Sequence, residues 1–134
     1  MMMRRNPEGA AFLAGFHASA AAMGFAFTVI VASGGSPVTP ELYGDAVYAI
    51  PAIAWGITQA SLGITCAVSI CAGRMLPLAV AAFLSALYYA TLGSMALRAE
   101  QGTLVAVGAF TVMLWPCLAA LHYATKRLGR RGPR

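Results

Sequence analysis

The chain has 134 residues, of which 60% are hydrophobic and 10% are charged, and its mean hydropathy is +0.74. A soluble domain usually carries about a quarter charged residues, so this composition excludes an ordinary water-exposed surface. The formal net charge of +5 comes mostly from the two ends of the chain. Charges that flank apolar spans orient membrane proteins, whereas nucleic-acid binding needs a basic folded face. We therefore expect the lipid bilayer as a partner and no nucleic acid.

Four segments are long and apolar enough to cross a bilayer, which takes about 20 residues of helix. They cover residues 10–33, 51–72, 75–97 and 103–125, and none of them contains Asp, Glu, Lys or Arg. Short breaks rich in glycine or polar residues separate the last three. The pattern predicts an all-α integral membrane protein, in which residues 1–134 form a single four-transmembrane-helix bundle.

The first span follows two basic residues, Arg4 and Arg5, and ends in the small residues Ala32 and Ser33. Cleaved signal peptides share this arrangement, and cleavage would leave three spans and an external amino terminus. The apolar run is longer than the roughly 7–15 residues usual in a signal peptide. Its length therefore favours a first span that is retained.

His17 is the titratable residue near the middle of the first span. Because an imidazole titrates near neutrality, a proton-sensing or gating role is physically possible. A hydrogen bond to a neighbouring helix is the simpler interpretation, since lone polar residues often join membrane helices. Gly24, further along the span, would let another backbone come close.

The connection between the first two spans has the features of a short interfacial helix over residues 40–49. Glu41 suits the first turn of such a helix, and Tyr43 and Tyr48 are aromatic residues of the kind enriched at the bilayer surface. A helix continuous with the second span would be too long for one crossing without a strong tilt. We therefore predict a kink or break at Pro51.

The second span carries a ridge of small residues around one amide side chain. Gly56, Gln59 and Gly63 share a helical face, where small residues permit close backbone approach and an amide can bond across the interface. The third span offers a matching stripe of small residues that includes Ala86 and Gly93. We interpret both faces as helix-packing surfaces, with pore lining as the alternative.

The fourth span contains Pro116 near its middle, and the loss of its amide proton predicts a kink there. Residues 126–134 form a basic tail. Three cysteines, Cys66, Cys71 and Cys117, lie in apolar runs, and the five-residue step from Cys66 to Cys71 puts them on different helical faces. Small buried hydrophobes are the expected role, with a metal site or disulfide as the alternative.

Lys and Arg in short loops mark the cytoplasmic side of a membrane protein. One predicted side carries most of the basic residues, and the other carries Arg98 with Glu41, Asp45 and Glu100. We therefore predict that both termini are cytoplasmic, and expect a bacterial cytoplasmic membrane. The topology charges are Arg4, Arg5, Arg74, Lys126, Arg127, Arg130 and Arg131.

The spans lack the carboxylate that ion-coupled carriers usually need inside the membrane. No nucleophile-and-base set, cofactor motif or metal-ligand spacing is present in the sequence, so we expect a non-enzymatic protein without a cofactor. The leading hypothesis is function through helix–helix association, as an accessory subunit of another membrane protein or as a lesion-forming homo-oligomer of the holin type. The alternative is a small channel or solute transporter, in which His17, Thr58, Gln59 and Ser85 converge on one watered path.

Overall fold

The structure is a computed structural model that describes residues 7–35, 51–99 and 102–130. Within these ranges the chain forms four helices and no strand. Each of the four is long and apolar enough to cross a bilayer. The predicted all-α bundle of four transmembrane helices is therefore confirmed, and the chain is an integral membrane protein.

Helix α1 spans Pro7–Ala32, α2 spans Ala52–Ala72, and α3 spans Met75–Ala96. Helix α4 spans Thr103–Gly129 and includes a π-helical segment at Gly108–Met113. These bounds lie within a few residues of the predicted spans except at the end of α4. There the helix extends through Lys126 and Arg127, which form part of its last turn and not of a separate tail. Cations in that position interact favourably with the helix dipole.

Several sequence predictions fall outside the described residues. They are the interfacial helix over residues 40–49 and the charges at Arg4, Arg5 and Arg131. Pro51 itself precedes α2 in an extended conformation, with φ −51° and ψ 129°. The kink at Pro51 stays a prediction, because the residues before it are not described.

A tight turn joins α2 to α3 at Gly73. This glycine has φ 66° and ψ 24°, which is a left-handed conformation. Glycine adopts it at little energetic cost because it has no Cβ. Its N–H donates to the carbonyl of Ile70, and the N–H of Arg74 donates to the carbonyl of Ser69. Both bonds satisfy carbonyls at the end of α2, and the chain reverses direction there at once.

The π-helical segment of α4 lies just upstream of Pro116. Proline has no N–H to offer the carbonyl of Val112 four residues earlier. A wider helical turn at Gly108–Met113 is a known response to such a gap in the hydrogen-bond ladder. The predicted bend of the helix axis at Pro116 stays a prediction, whereas the local change of helix type is observed.

The helices alternate in direction and share one apolar core at the end of the bundle that holds the carboxyl-terminal part of α4. Ala10 of α1, Ile70 of α2, Leu78 of α3 and Ala124 of α4 belong to this cluster. We call this the tail end of the bundle. At the opposite end, called the Trp55 end, buried Trp55 packs against side chains of α1 and α3, among them Phe27 and Tyr88.

Candidate functional site

Helices α1 and α2 pack backbone against backbone. A Cβ placed on Gly24 would lie 2.6 Å from the backbone nitrogen of Ala60. A Cβ placed on Gly63 would lie 2.7 Å from the carbonyl oxygen of His17 and 2.8 Å from the backbone nitrogen of Ala21. No side chain fits in either place. The predicted small-residue ridge of α2 thus faces α1.

The stripe of small residues on α3 faces a different helix from that ridge. A Cβ on Gly93 would lie 2.8 Å from the ring of Phe110 on α4, and buried Ala86 belongs to a cluster with Cys117 of α4. The ridge and the stripe, which the sequence pattern presents as a matching pair, therefore contact different helices at these positions. Helical periodicity identifies a packing face but not the helix that covers it.

Gln59 joins three helices through hydrogen bonds. Its Nε2 donates to the backbone carbonyl of Ala20 on α1 at 3.0 Å. Its Oε1 lies 3.3 Å from the hydroxyl of Tyr88 on α3, and that hydroxyl lies equally far from the carbonyl oxygen of Trp55. The ring of Tyr88 also packs 5.5 Å from that of Trp55 and 5.0 Å from that of Tyr89. The amide is thus fixed in orientation from both sides.

His17 is 1% exposed and points into the interior. Its ring packs edge-on against Phe16 at a centroid distance of 5.4 Å. Its Nε2 is a buried polar atom without a hydrogen-bond partner in the part of the chain that the structure describes. His17, Gln59, Ser85 and Tyr88 together line a cavity of about 10 Å³ between α1, α2 and α3.

Of the four residues expected along a polar path, His17, Gln59 and Ser85 therefore line one cavity, and Thr58 does not. Thr58 is exposed on the outside of the bundle, one helical step away from Gln59. Thr65, which shares its face, donates to the carbonyl of Ser61 on its own helix at 2.8 Å. Thr58 and Thr65 therefore do not extend the polar cluster along α2.

The seam between α1 and α4 is the least closed part of the bundle. These two helices make few contacts, whereas α1–α2, α2–α3 and α3–α4 pack along their lengths. A cavity of about 230 Å³ lies at the Trp55 end of this seam and includes Met23, Gln59 and Met113 in its lining. A second, of about 270 Å³, lies at the tail end between Phe12 and Trp115. We call this surface the α1–α4 seam.

No protein-family model, curated protein or solved structure matches the chain. Among the described residues, no group of three His, Cys, Asp or Glu side chains is placed to hold a metal ion.

The three cysteines occupy two kinds of environment. Cys66 and Cys117 are buried, whereas Cys71 is exposed, and all three are free thiols. The Sγ of Cys66 lies 4.0 Å from the hydroxyl of Ser85, and the Sγ of Cys117 donates to the carbonyl of Met113 at 3.2 Å. The different faces predicted for Cys66 and Cys71 are observed.

Tyr88 belongs to the polar cluster because its hydroxyl donates to the amide oxygen of Gln59, a contact that the sequence pattern does not predict. The available signal was a tyrosine in the interior of a span, where its hydroxyl needs a partner. The α1–α4 seam also escaped prediction, because each of its walls is apolar and resembles an ordinary lipid-facing surface.

Proposed function

We propose that this chain is a non-enzymatic membrane protein that acts through association of its transmembrane helices with those of another chain. The partner is either a larger membrane complex, to which the chain is an accessory subunit, or further copies of itself. The α1–α4 seam carries this proposal. Its two cavities are places where side chains of the bundle do not pack against one another. Because van der Waals packing rather than apolar burial drives the association of helices in lipid, a partner helix that fills these cavities would be stabilised.

Trp115 supports the seam as the docking surface. Its side chain is 71% exposed, although it lies near the middle of α4 and beside the tail-end cavity. Tryptophan is usually enriched at the two membrane–water interfaces and not at the centre of the bilayer. Phe12, across the cavity on α1, is 69% exposed. Two large aromatic rings that flank a groove are suited to hold a partner helix.

We propose that both termini lie in the cytoplasm, in a bacterial cytoplasmic membrane. Arg74 in the α2–α3 turn and Lys126, Arg127 and Arg130 at the end of α4 lie at the tail end of the bundle. The guanidinium of Arg127 stacks over the ring of Tyr123 at 5.0 Å, an arrangement suited to the bilayer surface. Arg98 is the basic residue described at the opposite end.

Cysteine cross-linking in native membranes tests the docking surface. In a Cys71→Ser background, which removes the exposed thiol, Met23→Cys places a single new thiol on the α1–α4 seam. Ile64→Cys is the matched control, because Ile64 is 55% and Met23 58% exposed. We expect a membrane-permeant benzophenone maleimide, attached to the thiol and then irradiated so that it bonds to C–H groups of a neighbouring chain, to give a cross-linked species with Met23→Cys and little with Ile64→Cys. Equal cross-linking of both, or none with Met23→Cys, would contradict the proposal.

The size of the cross-linked species identifies the partner. A product of twice 13.9 kDa indicates self-association. A product of another mass indicates a different membrane protein, which mass spectrometry then names. Both results place the seam at an interface.

A small channel or carrier is the second candidate, and the convergence of His17, Gln59 and Ser85 on one cavity favours it. A path from there would continue through the cavity at the Trp55 end, which shares Gln59 and Tyr88 as lining residues. Toward the tail end, the interior of the bundle is occupied by the buried side chains of Cys66, Ile70 and Leu78. Flux of small ions or polar solutes into proteoliposomes tests this candidate, and Gln59→Leu should lower any such flux.

A further inference from the structure

The Nε2 atom of His17 is buried and has no hydrogen-bond partner among the residues that the structure describes. A buried polar atom without a partner is rare in folded proteins, and each case has a physical reason such as a bound water molecule. The residue is held in place from several sides, since its carbonyl oxygen contacts Gly63 on α2 and its ring contacts Phe16. The imidazole is 1% exposed, so bulk water and lipid headgroups do not reach it in this conformation.

The cavity that His17 lines has the volume of one water molecule. It measures about 10 Å³, and a single water needs roughly 10–15 Å³ on this measure. Apolar cavities of proteins stay dry, whereas a buried water is held by 2–4 polar partners, typically about three. Gln59, Ser85 and Tyr88 supply polar atoms from α2 and α3 around the same space.

Ser85 has unused hydrogen-bonding capacity. It is 3% exposed, and among the described residues its hydroxyl makes one long contact, of 4.0 Å, with the Sγ of Cys66. A hydroxyl donates one hydrogen bond and accepts up to two. Gln59 and Tyr88 are already bonded to each other and to backbone carbonyls, so Ser85 is the stronger second ligand.

We propose that this cavity is a binding site for one water molecule, which bonds to Nε2 of His17 and to the hydroxyl of Ser85. The water can donate to Nε2 or accept from it, so the site suits either neutral form of the imidazole. It joins α1 to α3, two helices that have few direct contacts, beside the Gln59 bonds that join α1 and α3 to α2. This site is independent of the proposed helix association.

The test uses the full chain in vesicles of phosphatidylcholine and phosphatidylglycerol, with histidine labelled by nitrogen-15. Solid-state NMR measures magnetisation transfer from water protons to the ring of His17. His122, which is exposed, reports contact with bulk water in the same sample. We expect transfer from water protons to the ring of His17, although that ring is 1% exposed.

Two serine variants of α3 locate the water. Ser85→Ala removes the proposed ligand, whereas Ser94→Ala removes an exposed hydroxyl that bonds only the carbonyl of Ala90 on its own helix at 2.7 Å. We expect the water signal at His17 to be lost in Ser85→Ala and kept in Ser94→Ala. Absence of the signal from the unmodified chain, or equal intensity in both variants, would overturn the proposal.

Discussion

Gly24 of α1 and Gly56 of α2 face each other across the helix pair. A Cβ on Gly24 would lie 2.8 Å from the carbonyl oxygen of Gly56, and a Cβ on Gly56 would lie 2.9 Å from the carbonyl oxygen of Gly24. The two backbones are therefore in mutual contact, and neither residue can carry a side chain without separating the helices. Such contacts let van der Waals packing hold membrane helices together.

Gly24→Ala should destabilise the bundle, because the new methyl group meets backbone atoms and not a movable side chain. We expect the free energy of unfolding to fall by about 1–3 kcal/mol, the usual cost of overpacking. Unfolding with sodium dodecyl sulfate in mixed micelles measures it. Gly15→Ala is the control, since a Cβ there meets nothing within 4 Å. Equal effects of the two variants would show that backbone contact at Gly24 does not stabilise the pair.

Gln59 and Tyr88 should act as one unit. Gln59→Leu removes the bonds to Ala20 and Tyr88, and we expect a loss of about 0.5–2 kcal/mol, the range of hydrogen bonds between membrane helices. Tyr88→Phe should cost a similar amount. The double variant should lose less than the sum of the two, because their shared bond can be lost only once. Strict additivity in the double-mutant cycle would contradict the contact.

Trp115→Ala should weaken association without weakening the fold. The ring is 71% exposed in the isolated chain, so its removal leaves the unfolding free energy of the monomer within about 0.5 kcal/mol. Its loss from the α1–α4 seam should lower the yield of the Met23→Cys cross-link. Val68→Ala, at a position of α2 that is 59% exposed and outside the α1–α4 seam, is the control and should cross-link as before.

The proposed topology predicts opposite results for reporters at the two ends of the bundle. Alkaline phosphatase fused to the carboxyl end should be inactive, and inserted after Ala99 in the α3–α4 turn it should be active, since this enzyme needs an oxidising compartment. Replacing Arg74, Lys126, Arg127 and Arg130 by Gln should invert part of the population. An active carboxyl-terminal fusion in the unmodified chain would contradict the orientation.

If the chain forms lesions as a homo-oligomer, induced expression should collapse the membrane potential abruptly after a delay. A potential-sensitive dye follows this in growing cells, and Gly24→Ala gives the matched variant with a perturbed α1–α2 contact. Unchanged growth and potential at high expression would contradict the lesion-forming version and leave the accessory-subunit version standing.

The number and positions of the helices could be predicted because a long apolar segment in lipid must satisfy its backbone hydrogen bonds internally, and a helix does this within a single segment. The ridge at Gly56, Gln59 and Gly63 was also predictable as a face. Its partner was not, because periodicity fixes the direction of side chains around one helix and says nothing of neighbours. The ridge consequently contacts α1, while Gly93 of α3 contacts Phe110 of α4.

The polar cluster was predictable in part. His17, Gln59 and Ser85 do share one cavity, whereas Thr58 lies outside it, since adjacent positions on a helix point about 100° apart. The contact of Tyr88 with Gln59 depends on how α2 and α3 cross. That crossing follows from the tight turn at Gly73 and from the packing of the side chains of the two helices. No local pattern in the sequence contains that information.

The mass of the particle that the chain forms in its own membrane tests the central claim most directly. A tagged chain is extracted with its surrounding lipid in polymer nanodiscs, without detergent, and native mass spectrometry weighs the protein content. Association through the α1–α4 seam predicts more than one membrane-spanning chain in each particle, and a shift toward single chains in Trp115→Ala. Particles that hold only one chain of 13.9 kDa and no other protein would contradict it.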